Sequence, residues 1–139
     1  MSVEANKAAF RGAIAAYNDP ARRESYFDLY ASTATVHGYP GMGPGFEGLR
    51  AFYRAFWAAF PDATFLEDLL FGEGDLLACC FRVRGTQRGD FLGVPGSGRA
   101  VLFPGITVLR FENGRCIERW SQADYLGLAQ QLGVSPLPR

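Results

Sequence analysis

The sequence predicts an α+β fold in which helices precede a curved sheet of antiparallel hairpins. Apolar residues recur at helical spacing as far as residue 60, whereas the runs that follow Pro61 are bounded by glycine. Asn113-Gly114 supplies the positive φ angles of a tight hairpin turn. Elements in this order pack as two layers, with the helices on one face of the sheet, and form a cone with an open mouth.

Three helices are predicted ahead of the sheet. The first spans residues 3–17 and ends at Asn18-Asp19-Pro20, because proline disfavours helix in the residue before it. A shorter helix is predicted at residues 21–30. The third spans about residues 47–60 and ends at Pro61, and its apolar face consists of Leu49, Phe52, Tyr53, Phe56 and Phe60.

Two hairpins and a last helix follow. The predicted strands are residues 63–71 and 76–85 around a turn at 72–75, and residues 99–111 and 115–123 around Asn113-Gly114. A short strand at residues 35–38 completes the sheet, and a helix at 125–132 ends before Gly133.

Composition restricts the class of protein. The 139 residues are 48% hydrophobic and 20% charged, which is typical of one globular domain over residues 1–139 and excludes intrinsic disorder. The 14 basic and 14 acidic residues are dispersed, which argues against nucleic acid and anionic membranes as partners. No apolar run reaches the roughly 20 residues of a membrane span, and no secretion signal is evident, so we predict a cytoplasmic protein.

No metal or organic cofactor is predicted. His37 is the single histidine, and the three cysteines lack the spacing of zinc ligands. Residues 43–48 match a dinucleotide-binding glycine pattern in letters, but no parallel strand-helix-strand unit follows them. Residues 93–99 resemble a phosphate loop only superficially, because Arg99-Ala100 stands where lysine and a hydroxyl residue are needed.

The aromatic content favours an apolar cavity between helices and sheet. With 12 Phe, 6 Tyr and 2 Trp the chain exceeds what a minimal core requires, although core packing and a dimer interface also use aromatic residues. We therefore predict a flat, hydrophobic small-molecule substrate. The residues predicted to contact it are Tyr39, Phe56, Trp57, Phe103 and Trp120.

Asp124 is the first candidate for catalysis. By strand alternation it shares one face with Glu118, Trp120 and Gln122, and if that face lines the cavity, aromatic neighbours would desolvate the carboxylate for acid/base work. Aspartate immediately before a helix is also a preferred N-cap, so both roles remain open.

His37 is the second candidate for catalysis. It ends the short strand before a Gly/Pro loop, where it is either a substrate partner active near neutral pH or an ordinary surface or core histidine.

Arg82 and Arg84 project from the same side of their strand. With an aspartate they would polarise an epoxide or a carbonyl, or they belong to a solvated or dimer-facing surface. Because a sheet with one helix-covered face leaves its other face free, we predict a homodimer.

The chain resembles the SnoaL-like polyketide cyclases, a family within the nuclear-transport-factor-2-like (NTF2-like) cone folds. The resemblance covers nearly the whole sequence and lies in Gly45-Phe-Glu-Gly-Leu-Arg-Ala-Phe52, Ala59-Phe-Pro-Asp62, the stretch from Arg84 to Pro95, and Ile117-Glu-Arg-Trp-Ser-Gln-Ala-Asp-Tyr-Leu-Gly-Leu128. It implies an intramolecular aldol closure of an aromatic polyketide ester without metal or organic cofactor. It also implies Asp124 as acid/base and His37 in the pocket.

The resemblance does not extend to a particular substrate. This chain has Glu118-Arg119-Trp120 where the family commonly has Glu-His-Trp. An epoxide hydrolase or a ketosteroid-isomerase-like enzyme fits the same fold, because fold does not determine chemistry. A non-catalytic small-molecule binder is the alternative from another class, so an enzyme is the preferred but not the sole interpretation.

Overall fold

The computed structural model describes residues 2–41 and 43–134. Its elements are α1 (Val3–Tyr17), a 3-10 helix (Arg23–Leu29), β1 (Tyr30–His37), α2 (Phe46–Ala59), β2 (Thr64–Glu73), β3 (Leu76–Thr86), β4 (Ala100–Glu112), β5 (Arg115–Ala123) and α3 (Tyr125–Gln131). The predicted α+β class, with helices on one face of a curved sheet, is confirmed. No described helix is both long and apolar enough to cross a membrane.

Two elements differ from the prediction. Residues 23–29 form a 3-10 helix instead of an α-helix, and β1 begins at Tyr30, ahead of the predicted start at residue 35. The sheet order is β1-β5-β4-β3-β2, and β1 runs parallel to β5 whereas the other neighbours are antiparallel. A parallel partner is reached by a long crossover, so no turn in the sequence marks β1 as a strand.

Asn18 connects the end of α1 to the sheet. Its side-chain Nδ2 donates to the Phe65 carbonyl at 3.0 Å, and its Oδ1 accepts from the Phe65 amide at 2.8 Å. The amide group thus pairs with β2 as a neighbouring strand residue would. This fixes α1 across the inner face of the sheet.

Arg23 joins the ends of both long helices. Its guanidinium is buried and donates to the carbonyls of Tyr17, Pro61 and Ala63 at 2.7–2.9 Å. Carbonyls at helix ends lack intrahelical partners, so a buried arginine satisfies groups that would otherwise stay unpaired. The helix layer is therefore tied together by hydrogen bonds as well as by apolar packing.

The two faces of the sheet differ in what covers them. The inner face packs against α1 and α2 and carries Leu77, Cys79, Phe81 and Val83 of β3 together with Phe103, Thr107 and Leu109 of β4. In the described part of the chain, the outer face leaves apolar side chains in solvent. They are Leu69, Phe71, Leu102, Ile106 and Trp120.

Arg82 and Arg84 lie on this outer face. The Arg82 guanidinium pairs with Asp68 at 2.9 Å, and both side chains are exposed. Arg84 is exposed as well. The structure therefore places both arginines on the outer surface of the sheet. A substrate-polarising role is wrong, because β3 turns both side chains away from the helices.

Candidate functional site

The interior of the cone holds a small cavity between α2 and the sheet. It is lined by Tyr17, Tyr39, Phe52, Tyr53, Phe56, Phe65, Phe81, Val83, Phe103, Ser121, Ala123 and Tyr125. Its volume is about 20 Å³, which leaves room for about one water molecule. Aromatic rings fill most of the space that a ligand would need.

The packing of these rings explains the small volume. Phe56 stacks on Phe60 with ring centroids 4.8 Å apart, and Phe65 stacks on Phe81 at 4.6 Å. Phe91 meets the edge of the Phe56 ring at 5.3 Å. Much of the aromatic surplus is thus core, and the closed interior is smaller than the roughly 300–1,000 Å³ of ordinary ligand pockets.

A larger apolar cleft lies at the mouth of the cone, between α3 and the loop around residues 91–94. Its volume is about 480 Å³, and it is lined by Phe91, Leu92, Val94, Tyr125, Leu126, Leu128, Ala129, Leu132 and Val134. Leu92 and Leu126 are 55% and 42% exposed, so together with the other lining residues they form an apolar patch that is open to solvent. Tyr125 lines both the cleft and the interior cavity, so its side chain separates the two.

One buried side chain shapes the loop that forms a wall of this cleft. Gln87 is fully buried, and its Nε2 donates to the Val94 carbonyl at 2.9 Å. Its Oε1 accepts from the Ser97 hydroxyl at 2.7 Å and from the Ser97 amide at 3.2 Å. Residues 94–97 are therefore held in place as a wall of the cleft by one buried amide group, which uses both its donor and its acceptor.

Asp124 is the N-cap of α3. Its Oδ1 accepts from the Gly127 amide at 2.8 Å, and its side chain is exposed. A Cβ at Gly127 would lie 2.2 Å from Oδ2, so the carboxylate in this position lies directly over the glycine. The expected desolvation by aromatic neighbours is wrong, since Asp124 lies at the rim and outside the residues that line the cavity and the cleft.

The face of Glu118, Trp120 and Gln122 does not line the cavity, so the condition for a desolvated Asp124 is not met, and Trp120 lies away from the cavity it was predicted to line. Those residues do share a face, but it is the outer one, and Trp120 is 36% exposed. A β-bulge causes the difference: Phe111 pairs with Cys116 and Arg110 with Glu118, which leaves Ile117 as an extra residue. After the bulge the inward positions of β5 are Arg119, Ser121 and Ala123.

His37 lies on the same outer face. Its Nε2 is 2.9 Å from a carboxylate oxygen of Glu118, and its ring stacks on Trp120 with centroids 5.7 Å apart. The structure therefore does not place His37 in the pocket, where the family resemblance predicted it. The physical reason is the parallel pairing of β1 with β5, which sets His37 opposite Trp120.

The remaining predicted contact residues divide between cavity and core. Tyr39, Phe56 and Phe103 line the interior cavity. Trp57 is buried against Tyr17, with centroids 5.4 Å apart, and does not line the cavity. The structure thus brings together three of the predicted contact residues in one place.

Sequence reasoning missed a buried polar cluster around Arg119. The guanidinium is 1% exposed. Its Nε donates to the Thr107 hydroxyl at 2.8 Å, and its Nη1 donates to the hydroxyls of Tyr26 and Tyr30 at 2.7 and 2.5 Å. The Tyr39 ring centroid is 5.8 Å from the guanidinium carbon. Strand alternation alone would place this charge in solvent, because Trp120 is the more apolar neighbour.

Electrostatics keep this cluster positively charged. Burial raises the pKa of Tyr26, Tyr30 and Tyr39 well above the ordinary tyrosine value, although Arg119 acts in the opposite direction. Burial acts against the charge of Arg119, and the attraction that raises its pKa above the ordinary value comes from the tyrosines in their ionised form, which they reach only at high pH. The tyrosines are therefore neutral and the guanidinium is charged at physiological pH.

Comparison with known proteins gives one family and many related structures. A family model described as SnoaL-like polyketide cyclase matches residues 8–132. IdmH from Streptomyces antibioticus, a proposed polyketide cyclase, is 30% identical with a TM-score of 0.77 over 93% of this chain and 99% of its own. TsrD from Streptomyces laurentii is 29% identical with a TM-score of 0.81, over 96% of this chain and 98% of its own.

A further structure supports the fold alone. AclR from Streptomyces galilaeus, a proposed hydroxylase, has a TM-score of 0.87 at 23% identity, over 99% of this chain and 100% of its own. No curated protein matches the chain.

Proposed function

Because the chain belongs to the SnoaL-like polyketide cyclase family, we propose that it binds a flat, hydrophobic polycyclic substrate at the mouth of the cone and closes a ring on it by acid/base chemistry. One observation carries the proposal: an apolar cleft of about 480 Å³ adjoins the interior cavity at Tyr125, directly after Asp124 in the chain. The cleft is within the size range of small-molecule sites.

The cleft is where the substrate binds in this proposal. Its lining is aliphatic and aromatic, so it attracts a hydrophobic molecule by removing apolar surface from water. The interior cavity holds only about 20 Å³ before binding, and Tyr125 closes it from the cleft. Displacement of the Tyr125 ring lets one edge of the substrate reach the interior, next to Tyr39 and Phe103.

Asp124 is the proposed acid/base. Its carboxylate lies at the rim, and a substrate that covers the cleft removes water from it, which makes the carboxylate a stronger base than it is in solvent. It takes a proton from a carbon activated by neighbouring carbonyls, and the enolate charge spreads into the substrate's own ring system. The enolate carbon then bonds to a carbonyl carbon of the same molecule as that C=O π bond opens, and the alkoxide takes the proton back from Asp124. This chemistry needs neither metal nor organic cofactor.

A non-catalytic binding protein is the second candidate function. Among the described residues, those that line the interior cavity carry no carboxylate and no imidazole. A cavity of this composition binds a ligand without supplying a base to it. Turnover of a bound substrate separates this candidate from the enzyme.

Substitutions in the cleft test the proposal. We expect a polycyclic aromatic such as 1,8-dihydroxyanthraquinone to bind in calorimetric titration, and Leu126→Asp to weaken its binding at least about tenfold, because a charge in the cleft must be desolvated. The matched control is Gln130→Asp, which adds the same charge to the same helix at an exposed residue outside the cleft. Equal binding by all three proteins contradicts the site.

The proposal includes a homodimer formed through the outer face of the sheet. Leu69, Phe71 and Ile106 are each more than half exposed, at 59%, 58% and 57%. A row of large apolar side chains on one sheet face is typical of a protein interface. A second copy related by a two-fold axis offers the same row, so each copy covers the other.

A further inference from the structure

Arg119 is a charged group whose partners in the core are all neutral. Thr107, Tyr26 and Tyr30 accept its hydrogen bonds through their hydroxyl oxygens. None of the ion pairs among the described residues includes Arg119. Of its five N–H groups, the two on Nη2 find no acceptor within the described parts of the chain.

A buried charge without an opposite charge is unusual in proteins. Arginine is almost never fully buried unless it is paired, because removing the guanidinium from water costs more than neutral hydrogen bonds return. Arg23, another buried arginine, also lacks an ionic partner among the described residues, but each of its three guanidinium nitrogens donates to a backbone carbonyl. Among the described residues, no carbonyl accepts a hydrogen bond from Nη2 of Arg119 in this way.

Only one aromatic layer separates Arg119 from the interior cavity. Tyr39 packs against the guanidinium on one side and lines the cavity on the other. Its hydroxyl is 2.9 Å from the hydroxyl of Tyr53, which also lines the cavity. Ser121, two residues after Arg119 on the same inward face of β5, lines the cavity as well.

We propose that Arg119 binds an anionic oxygen carried by the aromatic ligand, after the Tyr39 side chain moves from between them. The inference rests on the proposed function, because the ligand reaches Arg119 through the same cavity. The ligand class is a flat aromatic compound with an ionised oxygen, either a carboxylate or an acidic enol. The bound oxygen takes the open N–H groups of Nη2, and its charge compensates the guanidinium.

Matched pairs of ligands test the charge requirement. The first pair is 2-naphthoate and 2-naphthamide, which share shape and differ in charge. The second is 2-hydroxy-1,4-naphthoquinone, whose enol ionises at neutral pH, and its neutral 2-methoxy analogue. Calorimetric titration of the wild-type protein should show at least about tenfold tighter binding of the anion in one pair or both, since charged hydrogen bonds are about twice as strong as neutral ones. The pair that shows the preference identifies the source of the charge.

Variants of Arg119 assign the preference to this residue. Arg119→Gln should abolish the preference for the anion and retain the affinity for the neutral partner. Arg119→Lys keeps the charge if the glutamine variant fails to fold, and should retain part of the preference. The control is Arg115→Gln, on the same strand but exposed and bonded to the Asp28 carbonyl, which should behave as the wild type.

The results of these titrations test the role of Arg119 and the proposed function separately. Equal affinity of the wild-type protein for anion and neutral analogue overturns the role of Arg119, while binding of both still supports the proposed function. A preference that survives in Arg119→Gln also overturns it. If neither member of either pair binds, the proposed function fails and this inference fails with it.

Discussion

Replacing Asp124 separates its capping of α3 from a role in proton transfer. In the structure the carboxylate is exposed and accepts one amide hydrogen bond, from Gly127 at 2.8 Å. Asp124→Ala removes this cap and should cost about 1 kcal/mol of stability, a fall in Tm of about 4 °C for a chain of this size. Asp124→Asn retains a capping oxygen and should stay within a few tenths of a kcal/mol of the wild type.

Turnover is the second readout for the same variants. Asparagine cannot accept a proton, so Asp124→Asn should lose about 10²-fold to 10⁴-fold in kcat if Asp124 is the acid/base. Its affinity for the substrate should remain, because the apolar cleft is unchanged. The assay is loss of substrate absorbance at saturating concentration, with thermal unfolding measured on the same preparations.

Gly127→Ala displaces the carboxylate without changing its chemistry. The new Cβ would lie 2.2 Å from Oδ2, so the Asp124 carboxylate must shift and its hydrogen bond to the residue 127 amide weakens. The weakened cap, worth at most about 1 kcal/mol, opposes the gain in helix propensity, so the net stabilisation should be smaller than that of an unhindered Gly→Ala change. The control is Gly12→Ala in α1, where the Cβ meets open space and only the gain of about 1 kcal/mol is expected.

Two outcomes would contradict this reasoning. Full turnover by Asp124→Asn on a verified substrate leaves Asp124 as a cap alone. If Asp124→Asn loses as much stability as Asp124→Ala, the carboxylate has a structural role that the hydrogen bond to Gly127 does not explain.

Two further predictions concern stability and assembly. Burial raises the pKa of the Cys79 and Cys116 thiols to about 12 and about 11 from an ordinary 9.0, so the folded state holds these protons more tightly than the unfolded state. The stability that these two thiols contribute is fully present below pH 9 and is lost as the pH rises toward 12. Urea unfolding should therefore show a free energy of unfolding that falls above pH 9, and a free energy that stays constant there contradicts this prediction. Light scattering at micromolar concentration should give the mass of a dimer for the wild type and of a monomer for Ile106→Glu, because the new charge would lie in the proposed interface. A monomeric wild type refutes the interface.

The helices and hairpins were predictable because their signals are local. Pro61 ends the stretch that contains α2, and Asn113-Gly114 marks the turn between β4 and β5 within a few residues of each strand end. The start of β1 was not predictable in this way. Its partner β5 lies far away in sequence and pairs with it in parallel, so no turn residue records the contact.

The contents of the cone depend on contacts between remote residues. Alternation along β5 shows which side chains share a face, but a bulge at Ile117 decides which face turns inward. The size of the cavity likewise follows from how rings from different elements stack, such as Phe65 on Phe81. A count of aromatic residues indicates apolar volume and cannot divide it between core and pocket.

The bulge on β5 links the two candidate sites. By turning Arg119 toward Tyr26 and Tyr30, it also turns Trp120 outward, where His37 stacks on it. The bulge does not set the direction of the Asp124 side chain, because Asp124 lies beyond the end of the strand, where the backbone already turns into α3. The proposed base is therefore at the rim, while the buried guanidinium of Arg119 lies behind Tyr39. A substrate that reaches from the cleft past Tyr125 and Tyr39 would place its acidic carbon near Asp124 and its anionic oxygen at the guanidinium of Arg119.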